Sequence, residues 1–270
     1  MFVPARTSMI AAVLALAMAA AGVSPADPPG AAADFPVARG NCWVYRGIAR
    51  TGPVEYLDET KGERVRVEGE NGSPVSCEVE VRVEITGIEE LAEGSRLAWA
   101  TRTTTPLDPC PYPPLVFRAD APQDFAYLID GNRVWDLGVG PMERIRDHDG
   151  RLTATLQQLR ELATDLSPFL VLPLRDGLRY TNSRSPLRED GYYQWVVSKA
   201  PAEVLLGKPR NEIYLLRYKS LPSTTELWFV PGLGVVRDKS SHHGSVDEWD
   251  LRLVDRHLAA ADVQAADDAH

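Results

Sequence analysis

Residues 77 to 86 read Cys-Glu-Val-Glu-Val-Arg-Val-Glu-Ile-Thr, apolar at odd positions and charged or polar at even ones. A period of two belongs to a β-strand with one dry and one wet face. Purely parallel sheets are covered on both faces, so this alternation predicts antiparallel pairing. Similar patterning assigns strands to 42–50, 63–70, 95–104, 192–198, 212–219, 225–230 and 247–254. Asn71-Gly72-Ser73-Pro74 is expected to take the positive φ of a tight hairpin leading into the alternating strand. Asp130-Gly131-Asn132 is expected to join strands at 125–129 and 133–137 in a second hairpin.

One segment changes period. Leu152, Leu156, Leu159, Ala163 and Leu166 recur at spacings of four and three, the stripe of an amphipathic helix, which Pro168 ends. Two runs with a proline four residues ahead of a glycine, at 35–45 and 172–182, each lead into a strand opening on an aromatic. Pro fixes an extended approach and Gly permits the bend. The fold class expected is mainly β (α+β): a curved antiparallel sheet or half-barrel of two meanders with one central amphipathic helix. The meanders are either a duplication or a coincidence of short runs. The layout is a signal peptide (1–26), a linker (27–34) and one β-rich domain (35–258), then a flexible tail (259–270). Within the domain, 35–148 is the first meander, 149–167 the helix and 168–258 the second meander.

The N-terminus supplies the compartment. Arg6 precedes an apolar run from Met9 to Val23, and small residues then offer cleavage points at Ala17-Met18-Ala19, Ala19-Ala20-Ala21 or after Ala26. That is the pattern of a secretory signal peptide. The run is shorter than the roughly 20 residues that span a bilayer, so no stable membrane insertion is expected after cleavage. The protein is expected in the periplasm or outside the cell. A cut after Ala26 leaves 244 residues and takes the net charge from −9 to −10. Such a surface repels phosphate backbones and anionic lipid, which argues against nucleic-acid and peripheral membrane partners. In an oxidising compartment, Cys42, Cys77 and Cys110 give one disulfide and one thiol. Antiparallel pairing would bring Cys77 and Cys110 together and leave Cys42 as a buried, inert thiol.

The two ends of the domain resemble a group of uncharacterised exported bacterial β proteins and lipoproteins, of the TapB-like kind of domain of unknown function. Phe35, Pro36, Gly40, Asn41, Trp43 and Tyr45 match their opening pattern. Trp228, Pro231, Gly232, Gly234 and Val236 match their closing one. The resemblance implies a curved antiparallel sheet similar to the half-barrels of periplasmic lipoprotein carriers, and no activity. The chain departs from the pattern at Cys42, where a small polar residue is commoner, and lacks a cysteine for lipid attachment.

Chemistry is sparsely signalled. No Gly-x-Ser-x-Gly elbow, phosphate-binding loop, His-Glu-x-x-His or Cys-x-x-Cys motif occurs, so neither a catalytic residue nor a cofactor is assigned. His242, His243 and Asp247 read as a polar hairpin tip, or less readily as a metal-dependent hydrolase site. His148 lies in a turn whose aspartates are expected to cap the helix that follows. Glu78, Glu80 and Glu84 belong to a wet strand face. Trp43, Trp99, Trp135, Trp195, Trp228 and Trp249 all fall in strands and are expected to converge on one sheet face under the helix. There they either fill a core or line an apolar cleft, and the first five are the candidate ligand-binding residues. The function expected is a non-catalytic exported binding module for an apolar ligand or an envelope partner. The alternative is a structural or adaptor protein of the envelope.

Overall fold

The alternating segment at 77–86 is the middle of a longer strand, Val75–Glu90, in which Val75, Cys77, Val79, Val81 and Ile85 are buried. The computed structural model describes residues 34–58, 63–68, 70–108, 121–242 and 247–258. The expected signal peptide and most of the expected linker (residues 1–33), Cys110 and the tail at 259–270 lie outside them.

Sixteen strands are described: β1 (Cys42–Thr51), β2 (Val54–Asp58), β3 (Glu63–Val67), β4 (Val75–Glu90), β5 (Arg96–Pro106), β6 (Gln123–Asp130), β7 (Arg133–Asp136), β8 (Leu170–Val171), β9 (Arg179–Tyr180), β10 (Trp195–Ala200), β11 (Glu203–Leu205), β12 (Lys208–Arg210), β13 (Ile213–Lys219), β14 (Ser223–Val230), β15 (Gly234–His242) and β16 (Asp247–His257). Two short helices, α1 (Met142–Ile145) and α2 (Leu156–Thr164), sit between β7 and β8. Twelve strands form one sheet in the order β8-β7-β6-β5-β4-β1-β16-β15-β14-β13-β10-β9. Its ladders are antiparallel, as the alternation predicts. β2 with β3, and β11 with β12, make separate two-stranded ribbons.

The order explains how the sheet nearly closes into a barrel. β1 pairs on one side with β4 and on the other with β16, so the two ends of the domain meet along one ladder. The open edges, β8 and β9, are successive in the chain and cannot drift far apart. The Tyr180 hydroxyl spans this seam and donates to the Phe169 carbonyl at 3.1 Å. One row of side chains from every part of the sheet therefore faces a shared interior, which holds Val79, Ile85, Val134, Leu170, Leu216 and Phe229 among others.

The expected hairpin at 130–132 is present: β6 and β7 pair through Asp130 and Arg133, and Gly131 carries φ +58°. Asn71 and Gly72 also take positive φ, but β3 pairs with β2 and not with β4. The turn redirects the chain and closes no hairpin. Both glycines of the two proline runs have positive φ, Gly40 at +88° and Gly177 at +76°. They launch strands in different settings, since β1 has a neighbour on each side and β9 lies at an edge.

The helix departs from expectation in extent and in place. It begins at Leu156 because Thr155 caps it: the Thr155 hydroxyl accepts from the Gln158 amide, and the Gln158 side chain accepts from the Thr155 amide. Leu152 instead bridges to Arg146. The aspartate turn is self-contained, with the Asp147 carboxylate accepting from the Asp149 and Arg151 amides at 2.9 Å. Leu159 and Ala163 pack on Leu97, Trp99, Ala126 and Leu128, which alternate with the inward residues of β5 and β6. The helix is thus outside the barrel and not at its centre. Its apolar stripe is answered by a second apolar face on three strands.

Cys42 is a buried free thiol, and burial raises its pKa, which leaves it a poor nucleophile. Cys77 is buried and is not free. Its pairing with Cys110 rests on a residue outside the description and stands as a proposal.

Gly47 tests the central ladder. A Cβ built there would overlap the Asp250 carbonyl of β16. Gly47→Ala is expected to lower stability by about 1–3 kcal/mol, the usual cost of overpacking, read by urea unfolding. An unchanged midpoint would contradict the close approach.

Candidate functional site

The barrel interior is not filled. A cavity of about 170 Å³ is walled by Phe35, Trp43, Tyr45, Val81, Tyr127, Leu227, Trp249 and Leu251. An adjoining cleft of about 650 Å³ reaches Gln123, Phe125, Val139, Leu166, Trp195 and Thr225. Arg102, Asp136, Phe169, Leu227, Asp238 and Trp249 belong to the walls of both, so these residues form the waist between a small aromatic chamber and a wider opening.

The two end motifs build the chamber. Trp43 and Tyr45 point inward from β1 and reach across β16 to the chain at 233–235. The Trp43 indole donates to the Leu233 carbonyl at 2.8 Å, and the Tyr45 hydroxyl donates to the Val235 carbonyl at 2.9 Å. Gly234 has φ +95° and lies against the Trp43 ring, where a Cβ would meet the indole nitrogen at 3.4 Å. Gly232 donates to the Asp34 carbonyl, which fixes the segment carrying Phe35. Phe35 then packs edge-on against Tyr127 and Phe169, with centroids 5.2 and 6.0 Å away.

Three charged side chains enter this aromatic setting by strand parity. Arg102 follows Ala98 and Ala100 on the inward row of β5, Asp136 follows Val134 on β7, and Asp238 follows Val236 on β15. Arg102 lies over the Phe125 ring at 5.2 Å and makes no hydrogen bond to protein among the described residues. Asp136 accepts from the Gly138 amide at 2.7 Å, and Asp238 accepts from the Trp249 indole at 2.9 Å. Desolvation raises both carboxyl pKa values against the opposing pull of Arg102, and Asp238 rises from 3.8 to about 6. Desolvation also raises the pKa values of the Tyr45 and Tyr127 phenols, so both are neutral.

The candidate tryptophans divide among settings. Trp43 lines the chamber, and Trp195 lines the cleft while stacking with Tyr180 at 6.5 Å. Trp249, not among the five, lines both. Trp99 and Trp135 face outward into the cluster under α2, where Arg146 covers the Trp99 ring at 3.5 Å and the Trp99 indole donates to Glu89. Trp228 lines neither the chamber nor the cleft, and Arg237 lies over its ring at 4.5 Å. The convergence of six indoles on one face is therefore corrected: three border the open interior. Parity separates them, since Trp99 shares its face with Leu97, and Trp228 alternates with the inward Leu227. His242 stands opposite Asp247 in the β15–β16 ladder, and His243 lies outside the described residues.

No family model matches the chain, and no curated protein matches it. Two solved structures are similar over most of their length. One is a protein of Bacteroides fragilis described as exported and as having a YmcC-like fold. It is 9% identical with a TM-score of 0.35, and the match covers 83% of this chain and 98% of that one. The other, from Parabacteroides distasonis, is described as a lipoprotein; it is 10% identical with a TM-score of 0.39, covering 83% and 97%. At these identities and scores neither likeness bears on ligand or chemistry.

The raised Asp238 pKa has a signed consequence. Between about pH 4 and pH 6 the folded state holds a proton that the unfolded chain has released, so stability falls as pH rises through that window. Asp238→Asn keeps an acceptor for the Trp249 indole and removes this loss. Its stability relative to wild type is expected to be near zero at pH 4 and to grow to about 1–3 kcal/mol by pH 8, measured by urea melts across pH. Parallel profiles for the two proteins would contradict the buried placement of the carboxyl.

Proposed function

We propose that the protein is an exported, non-catalytic binding module whose ligand enters the barrel interior through the cleft and places an apolar group in the chamber. The observation that carries this reading is the open, aromatic-walled chamber continuous with a wider cleft, in a sheet otherwise packed along its length. A cavity lined mainly by apolar side chains with a few convergent polar groups is the usual form of a small-molecule site. An engineered apolar cavity of about 150 Å³ accommodates benzene, so the chamber suits an aryl or short alkyl group and the cleft the remainder of a longer molecule. The export signal supports a role in the cell envelope or outside it. The fixed backbone around Trp43, Tyr45 and Gly234 supports a preformed site, which lowers the ordering cost of binding.

The neutral dye N-phenyl-1-naphthylamine tests the reading. It is expected to bind one-to-one with enhanced emission and to quench tryptophan fluorescence through Trp43 and Trp249. Leu227→Trp places an indole at the waist and is expected to weaken dye binding at least about tenfold, the effect of about 1.4 kcal/mol, while the variant still melts cooperatively. Absence of dye binding, or undiminished binding by a folded Leu227→Trp protein, would count against an interior site.

A further inference from the structure

Resting on the interior site proposed above, we infer that its ligand carries a positively charged ammonium group, held at the waist by Asp136 and Asp238 with an apolar body in the aromatic chamber. Three observations lead there. The first is charge balance. The waist contains two carboxylates and one guanidinium, all half-buried, so with all three ionised it has a net charge of −1 beside a largely aromatic wall. A bound monocation brings that total to zero, whereas an anion deepens the imbalance and is repelled by both carboxylates.

The second observation is unused hydrogen-bonding capacity. A carboxylate offers about four acceptor sites. Asp136 uses one on the Gly138 amide and Asp238 one on the Trp249 indole. Arg102 does not consume the rest, since it rests over Phe125 and forms no ion pair with either aspartate among the described residues. The open acceptor sites suit an ammonium, which has three N–H donors and no acceptor. The third observation is the wall itself. Trp43, Tyr127 and Trp249 bring ring faces or edges to the same chamber, and desolvated aromatic faces attract cations.

Asp238 titrates near pH 6 because burial outweighs the attraction of Arg102. The groups facing it are Arg102 from β5, Tyr127 from β6, Asp136 from β7, Tyr45 from β1, and Trp249 and Asp250 from β16. Asp250 is held by Arg237, which donates to it through Nε at 2.7 Å, and both tyrosines are neutral. Asp238, with Asp136 raised beside it by the same burial, thus changes the charge of the waist as pH rises through 6. Ammonium binding therefore favours the ionised waist and strengthens as pH rises through 6, while carboxylate binding weakens.

Three probes separate the possibilities: 4-phenylbutylammonium, the uncharged 4-phenylbutanol and the anionic 4-phenylbutanoate, titrated into the intact mature protein by tryptophan fluorescence and calorimetry. The ammonium is expected to bind at least about tenfold more tightly than the alcohol at pH 8, as a desolvated charge pair allows. That advantage is expected to shrink at pH 5 and to vanish in Asp238→Asn. If the alcohol binds as well as or better than the ammonium at pH 8, or the carboxylate binds best, the charge assignment is overturned while the interior site stands. If none of the three binds, both the assignment and the interior site fail. A pH-independent ammonium preference that survives Asp238→Asn would also overturn the role given to the waist.

Discussion

The structure depends on how two segments some 190 residues apart are tied together. Trp43 and Tyr45 of β1 reach over β16 to the carbonyls of Leu233 and Val235, and β1 itself is zipped between β4 and β16. Each buried hydrogen bond contributes on the order of 1 kcal/mol, but their larger consequence is geometric. They hold the start and finish of the sheet in one register, and the rest of the chain then has little choice but to wind round as a meander. Gly47 and Gly234 belong to the same constraint, because one lets the β16 backbone approach and the other leaves room for the Trp43 ring beside the chain. The interior chamber is the space this tie leaves behind.

Closure by side chains rather than by a complete ladder shapes the opposite side. β8 and β9 are only two residues long each and meet through Tyr180 and Phe169, not through paired strands. The cleft draws its walls from both flanks of that seam, with Phe169 on one side and Trp195 on the other. A barrel sealed all round by hydrogen bonds would enclose its interior, whereas a short seam leaves an entrance. The outer helix stiffens the β5–β7 flank without occupying the interior. Its Leu159 and Ala163 bury surface that the strands present in addition to their inward row.

Much of this was legible in the amino-acid order. Period-two patterning placed β1, β4, β13, β14 and β16 to within a few residues, because one face of each is wetter than the other, and β5 and β6 were also found. It could not assign faces on β5 to β7, where α2 makes both sides apolar, and so Trp99 and Trp135 read as interior when they lie under the helix. The helix start was written in Thr155 and Gln158, a capping pair that apolar spacing overlooks. The charged waist was missed for a related reason. Glu78, Glu80 and Glu84 draw the eye as an acidic row, yet they alternate with buried valines and face water. Asp136 and Asp238 stand alone in sequence, and only their parity with Val134 and Val236 betrays an inward carboxylate. That these two meet Arg102 is a property of the nearly closed sheet, which no local pattern encodes.

Native-state hydrogen exchange, resolved by residue, tests the tie between the ends most directly. Amides of β1 and of its partners in β16 and β4 are predicted to exchange only through global unfolding, while those around Leu170–Val171 and Arg179–Tyr180 open at lower free energy. Exchange of the β1–β16 ladder ahead of the seam would contradict the account.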